Sequence, residues 1–284
     1  MPSAVAPTDL QLDLPGGAVR CRVLGSGPPL VLCHGFMGSA ENFDGWLPAL
    51  TGRRTVVIPD LPGSGASPPL AGVHTCAALA EVVAAVMRAV DTGPADVGGL
   101  CLGVPVATAL AAREPGLARR LILHTPLLGP AVVRRRFRFQ VAALTAPGIY
   151  PPARRLSRSR VVSDLYKRLV VEGNDVDPAA ARVNFENQLR ADDRALREWL
   201  RDGIGRDGAA PLAAHRFPAL LLAAADDRIV DPLALACLAG AMPGVELYVD
   251  PAAGHGWTVA AVERQVAVIA AFLDRPLDAG RTAA

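Results

Sequence analysis

Lysine is nearly missing from this chain: Lys167 stands alone against 28 arginines. We read that imbalance, with the abundance of alanine, as coding bias and attach no function to it. Long apolar runs are missing too. No segment reaches about 18 residues without a break or a charge, and no N-terminal stretch joins a basic region to an apolar one. Neither a membrane-spanning helix nor a secretory leader is expected, and the chain reads as a soluble, cytoplasmic protein without a membrane partner. Cysteines are few, odd in number and scattered. Cys21, Cys33, Cys76, Cys101 and Cys237 lack metal-type spacing and read as reduced thiols rather than a disulfide framework. The net charge is only +2, which removes the general electrostatic reason to expect a nucleic-acid partner. Nothing demands a metal or an organic cofactor, and there is no internal repeat.

What is there is a length of 284 residues, 51% of them hydrophobic, enough for one large core with an insertion. Met1 to Thr8 reads as a loose tail. Leu10–Leu14 and Ala18–Leu24 alternate apolar and polar around Pro15-Gly16-Gly17, the pattern of an antiparallel hairpin. A buried strand is expected at Leu30–Cys33. Helix and strand then alternate: Asn42–Leu50 helical, Thr55–Ile58 strand, Thr75–Val90 helical, Ala95–Val97 strand, Val104–Ala112 helical, Arg120–His124 strand. The rhythm stops near Thr125 and resumes with strand Leu220–Ala224, helix Pro232–Ala241, strand Glu246–Val249 and helix Thr258–Leu273. Such alternation predicts a mostly parallel sheet with helices on both faces. Residues 127–216 differ in kind, with proline clusters at Pro147 and Pro151-Pro152, helical stretches such as Ala180–Leu200, and no buried strand. They read as a helical cap inserted into a core of residues 1–126 and 217–284.

One short pattern carries most of the chemistry. Gly99-Leu100-Cys101-Leu102-Gly103 lies between a strand and a helix, the setting of a nucleophile elbow, with cysteine at its centre. The dipole at a helix N-terminus favours a thiolate over a thiol. A thiol nucleophile needs a base, an acid that orients the base, and donors for an oxyanion. His255, in the glycine-flanked loop Gly254-His255-Gly256-Trp257, is the candidate base. Asp227 is the favoured acid, with the adjacent Asp226 as the alternative. The backbone amides of Leu102 and Phe36 are the candidate oxyanion donors. His34, at a strand end before glycine, reads as a structural residue that shapes the loop His34–Ser39. Phe36, Met37 and Trp257 are expected to line an apolar substrate pocket.

These motifs together resemble the α/β-hydrolase fold family in its capped form. His34-Gly35-Phe36, Asp60-Leu61-Pro62-Gly63-Ser64-Gly65-Ala66-Ser67, the elbow, Asp227-Arg228-Ile229-Val230 and Gly254-His255 follow one another in that family's order. The resemblance implies an α/β architecture with an eight-stranded, mostly parallel sheet flanked by helices and an inserted helical cap. It also implies a nucleophile–acid–histidine triad formed by Cys101, Asp227 and His255. Most capped members resemble the pattern with serine at the elbow. Dienelactone hydrolases and polyhydroxyalkanoate synthases carry cysteine there, and Gly-Leu-Cys-Leu-Gly is especially similar to the dienelactone hydrolase elbow. The large insertion and the Asp60–Ser67 segment resemble that uncapped group less, and polymer synthases are usually longer.

The expected function is hydrolysis of an ester, lactone or thioester through an acyl-cysteine. An acyltransferase or cyclase using the same intermediate, and a non-catalytic binding protein that keeps the fold, are the alternatives. The partner expected is a small-molecule acyl substrate, anionic or carrier-bound. Residues 131–168 motivate the last part: nine arginines and Lys167 against Asp164 give a local charge of +9, which leaves −7 for the remainder. An anionic partner and a plain solvated face both account for it. Asn184, Phe185, Asn187 and Gln188, on an expected cap helix, either orient a polar group or face water.

Overall fold

The computed structural model describes residues 8–172, 178–215, 217–256 and 258–277. Its centre is an eight-stranded sheet in the order β1-β2-β4-β3-β5-β6-β7-β8. The strands are β1 (Thr8–Leu14), β2 (Gly17–Leu24), β3 (Pro29–Cys33), β4 (Thr55–Pro59), β5 (Ala95–Leu100), β6 (Ala118–His124), β7 (Ala219–Ala224) and β8 (Val245–Asp250). Only the pairings of β2, with β1 and with β4, are antiparallel; all others are parallel. Parallel neighbours need crossovers, and these supply the helices. They are α1 (Leu47–Leu50), α2 (Cys76–Ala89), α3 (Gly103–Arg113), α10 (Pro232–Gly240) and α11 (Val259–Leu273), with α4 to α9 between β6 and β7.

Alternate residues of each strand feed opposite layers, as a two-residue period requires. Val31, Val57, Val97, Leu121 and Leu221 pack toward α2 and α3 in one buried cluster. Leu30, Leu32, Val56, Ile58, Ile122 and Leu220 pack with Trp46 and α11 in a second. The helices begin where the sequence offers caps. Thr75 accepts from Ala78 N ahead of α2, Asp231 from Leu233 N ahead of α10, and Thr258 from Ala261 N ahead of α11.

The segment between β6 and β7 comprises α4 (Arg135–Leu144), α5 (Tyr150–Ser157), α6 (Arg160–Tyr166), a π-helical turn (Lys167–Glu172), α7 (Pro178–Arg190), α8 (Asp193–Gly205) and α9 (Ala210–His215). Three expectations need correction. The helix expected over Asn42–Leu50 is a 3-10 turn (Ala40–Phe43) followed by the four-residue α1. Gly45 interrupts it, and Pro48 sits in the first turn of α1, where its missing N–H is tolerated. Ala180–Leu200 is two helices, because Asp192 caps α8 by accepting from Ala195 N. Of the expected tail, Thr8 begins β1 and the rest lies outside the described residues. No helix among the described residues is long and apolar enough to cross a membrane.

Candidate active site

The carboxyl ends of β3, β5, β7 and β8 meet, and each contributes one loop. From β5 the chain turns into α3 through Cys101, whose φ of 52° lies in the left-handed region that non-glycine residues avoid. The turn is this tight because its neighbours are glycines. A Cβ on Gly99 would stand 2.7 Å from Gly103 O, and one on Gly103 would stand 2.2 Å from Cys33 O and 2.5 Å from His34 O. The Cys101 amide donates to His124 O at 2.9 Å, which anchors the turn on β6. The thiol at its tip is half-buried.

The structure brings Cys101, His255 and Asp227 together. His255 Nε2 lies 3.1 Å from Cys101 Sγ, and His255 Nδ1 lies 2.9 Å from Asp227 Oδ2. The other carboxylate oxygen of Asp227 accepts from the amides of Ile229 (2.7 Å) and Val230 (2.8 Å), so the loop after β7 fixes the acid from its own backbone. Asp226 is exposed, and its amide donates to Ala253 O at 3.1 Å. Its carboxylate takes no part in this chain of contacts.

Electrostatics agree with the distances. Burial alone would push His255 down, but the Asp227 carboxylate and the Cys101 sulfur prevail and hold it well above its ordinary 6.5. Burial alone would raise Asp227, but the His255 charge and the two amides hold it below its ordinary 3.8. Three other thiols stand in contrast. Burial pushes Cys21 and Cys33 up to about 12 and raises Cys76 also, so they behave as inert core side chains.

The loop after β3 crosses directly over the elbow: a Cβ on Gly35 would stand 2.9 Å from Leu100 O and 3.2 Å from Cys101 Cβ. Among the described residues, neither the Leu102 nor the Phe36 amide donates to a protein acceptor; Leu102 follows Cys101 in the elbow, and Phe36 follows Gly35 in the loop that crosses it. Met37 is half-buried with φ 54°; Trp257 lies outside the described residues. His34 is fully buried. Its Nδ1–H donates to Gly35 O and its Nε2 accepts from Leu61 N, both at 2.9 Å. Burial lowers its basicity, and it joins two loops as a neutral ring.

Other contacts were not legible beforehand. Asn187 Nδ2 donates to Ser39 Oγ at 2.8 Å, and Asn42 Nδ2 donates to Asn184 Oδ1 at 2.6 Å. Gln188 accepts from Ser163 Oγ at 3.1 Å, and the Phe185 ring lies 5.7 Å beneath the Arg160 guanidinium. Asn187 and Gln188 are buried in these contacts and do not face water, while Asn184 and Phe185 are half-buried; the asparagines clamp α7 to the chain after β3. Arg134 Nε donates to Asp227 O at 3.0 Å and its Nη1 reaches Asp231 Oδ2 at 3.3 Å. An isolated antiparallel bridge between Val133 and Val230 runs alongside. Behind the elbow, His124 Nε2 pairs with Gln265 Oε1 at 2.7 Å, and burial takes its pKa down to about 4.

The alpha/beta hydrolase fold family pattern matches residues 28–256. Among curated relatives, polyketide synthase ThaQ of Burkholderia thailandensis is 30% identical over 278 residues, covering 94% of this chain and 13% of that protein. Pyrrolizixenacetamide deacetylase of Xenorhabdus hominickii is 37% identical over 118 residues, 41% of this chain and 44% of that one. The chain thus spans less than half the length of these two relatives. A pimeloyl-[acyl-carrier protein] methyl ester esterase of Neisseria meningitidis is 29% identical over 267 residues, 89% of this chain and 80% of that one. Among solved structures, E-2-(acetamidomethylene)succinate hydrolase superposes with a TM-score of 0.78 at 21% identity, covering 95% of this chain and all of that one.

Proposed function

Since the chain belongs to the alpha/beta hydrolase fold family, we propose that it is a hydrolase of esters, lactones or thioesters that works through an acyl group on Cys101. The observation that carries this reading is the single imidazole bridging a buried carboxylate at 2.9 Å and a half-buried thiol at 3.1 Å. The family pattern and the relatives named for ester chemistry support it. Fold alone would not, because this architecture hosts many reactions.

The reaction follows from the geometry. His255 holds the Cys101 proton while Asp227 fixes the ring and offsets its charge. The sulfur attacks the substrate carbonyl, and the C=O electron pair moves onto oxygen, which the amides of Leu102 and Phe36 receive. As the carbonyl re-forms, the bond to the leaving group breaks and His255 gives that group its proton. A water then enters, His255 takes its proton, and hydroxide adds to the thioester. Collapse expels the Cys101 sulfur and frees the acid. Residues 127–216 serve as a cap that roofs this site, with Phe36 and Met37 against the acyl body.

Transfer of the acyl group to an alcohol, amine or thiol is the second reading. It is favoured by the similarity, over 94% of this chain, to a protein named as a polyketide synthase. The two differ only in the acceptor. The test is intact mass and peptide mapping after brief exposure to an activated short acyl ester, for wild type and Cys101→Ala. A transient acyl adduct on the Cys101 peptide, missing from the variant, is expected; a wild type that never acquires one sinks both readings. Product partition between water and an added nucleophile then separates hydrolysis from transfer.

A further inference from the structure

We infer that the exposed side chains of α5, α6 and the π-helical turn after them dock a compact acidic protein domain that presents the acyl group as a thioester on a flexible arm. The inference rests on the Cys101 reading above and names the partner of that site.

The face combines charge and apolar surface in a way that internal packing does not use. Arg155 and Arg168 are exposed, and neither guanidinium has an acidic partner among the described residues. Leu156, Val161, Leu165 and Leu169, on the same stretch of chain, are 57–77% exposed. By contrast Arg154, immediately before Arg155 in α5, is buried and spent on Asp193 and the carbonyls of Gln188 and Ala191. The fold has therefore sorted the arginines: Arg154 is turned inward as a structural cation, Arg158 and Arg160 pair with Asp193 and Asp164, and Arg155 and Arg168 stay outward without an acidic partner among the described residues. Exposed apolar side chains beside an excess of positive charge are the composition of an interface core and its steering field.

Position supports the assignment. Gln188 of α7 meets Ser163 of α6, and Asn187 of α7 holds the β3 loop over the elbow. On the other flank, Arg228, next to Asp227, donates to the carbonyls of Arg168 (3.0 Å) and Leu169 (2.9 Å). The face is thus tied to both loops that flank the thiol. Cys101 is half-buried, and a thin arm reaches such a thiol more readily than a donor fixed on a protein surface.

Charge complementarity selects an acidic occupant and a bounded one. Residues 131–168 carry +9 and the remainder −7; Asp231 and Asp193 neutralise part of that excess at Arg134, Arg154 and Arg158, and a positive excess remains. An anionic bilayer extends past the patch and meets the negative remainder, while a small acidic domain covers the patch alone. The chemistry on docking is thioester exchange. The Sγ–acyl bond forms, the bond from acyl to the arm's sulfur breaks, and that sulfur takes the proton from His255.

The test compares one short acyl group carried on an isolated acidic acyl carrier protein with the same group on free pantetheine, for wild type and Arg155→Glu/Arg168→Glu. Binding of the carrier is titrated separately from turnover. Wild type is expected to favour the carrier-borne substrate at least about tenfold in kcat/KM at low salt, within the range of electrostatic steering, and to lose that preference as salt rises. The double variant should lose the preference and keep pantetheine turnover. Should the variant also lose pantetheine turnover, the salt response of the wild type decides alone. Equal use of both donors without salt dependence overturns the inference. So does variant-sensitive binding to phosphatidylglycerol vesicles without any carrier preference, which would assign the face to lipid headgroups. If neither donor acylates Cys101 the catalytic reading fails, while salt-sensitive carrier binding still reports on the docking face.

Discussion

Asp227→Asn isolates the electrostatics of the site without dismantling its loop. Asparagine keeps an oxygen that accepts from the Ile229 and Val230 amides, now at 2.7 and 2.8 Å, so the turn after β7 survives. At the second position, 2.9 Å from His255 Nδ1, an NH2 replaces a carboxylate oxygen. His255 must then present a lone pair at Nδ1 and a proton at Nε2, which faces Cys101 Sγ at 3.1 Å. That neutral tautomer cannot take the thiol proton, and an imidazolium there would be buried without its partner. Leaving one member of a buried ion pair alone costs about 3–5 kcal/mol. At 1.36 kcal/mol per decade, that cost is a loss of roughly 200- to 5,000-fold in the acylation rate. The assay is the single-turnover rate of adduct formation on the Cys101 peptide. It is joined by the NMR titration of the His255 ring, assigned by its disappearance in His255→Gln. The ring should titrate well above 6.5 in wild type and far lower in the variant. Acylation at the wild-type rate with an unmoved His255 titration would refute the reasoning.

Three further outcomes are expected. The ion pair sets a pH window for stability, because His255 is raised above 6.5 and contributes fully below it, while Asp227 is lowered below 3.8 and contributes fully above it. In urea unfolding the gap between wild type and His255→Gln should be widest between those values, fading as pH climbs through the folded His255 value; a gap that grows with alkalinity would contradict this. Gly103→Ala drives a Cβ to 2.2 Å from Cys33 O, a backbone atom that cannot swing aside; a loss of about 3 kcal/mol, the upper end of the usual overpacking cost, should lower Tm by several degrees, and an unchanged melt would refute the packing argument. Arg154→Leu strips donors from Asp193, Gln188 O and Ala191 O; hydrogen exchange should quicken in α5 and α7 and not in β5 or α3, whereas uniform protection would refute its structural role.

Most of the candidate site was legible because backbone geometry brings its residues together. The elbow needs Gly99 and Gly103 at their spacing, and sheet order puts the loops after β3, β5, β7 and β8 at one edge. Residue type could not separate Asp226 from Asp227, since both are short acids in the same turn. What separates them is that only Asp227 reaches the Ile229 and Val230 amides and His255. The helix expected across Ala180–Leu200 ignored the capping potential of Asp192, a local signal present in the sequence. Arg134 and Asn187 left no such signal. Their partners lie 93 and 148 residues away, and an arginine among nine in one segment has nothing local to mark it as the one that holds the acid loop.

The bridge between Val133 and Val230, with Arg134 beside it, relocates the natural seam of the molecule. The helices leave the sheet after β6 and return at β7, adjacent strands, so the whole block can be exchanged without threading a new strand. A transplant cut at residue 127 would carry off Val133 and Arg134 and leave the carbonyl of Asp227 without its donor. Cut after Arg134, the recipient keeps the thiol, the imidazole, the carboxylate and the brace behind it. Chimeras joined at the later point should inherit a new specificity on intact chemistry, and those joined at the earlier one should inherit the specificity alone.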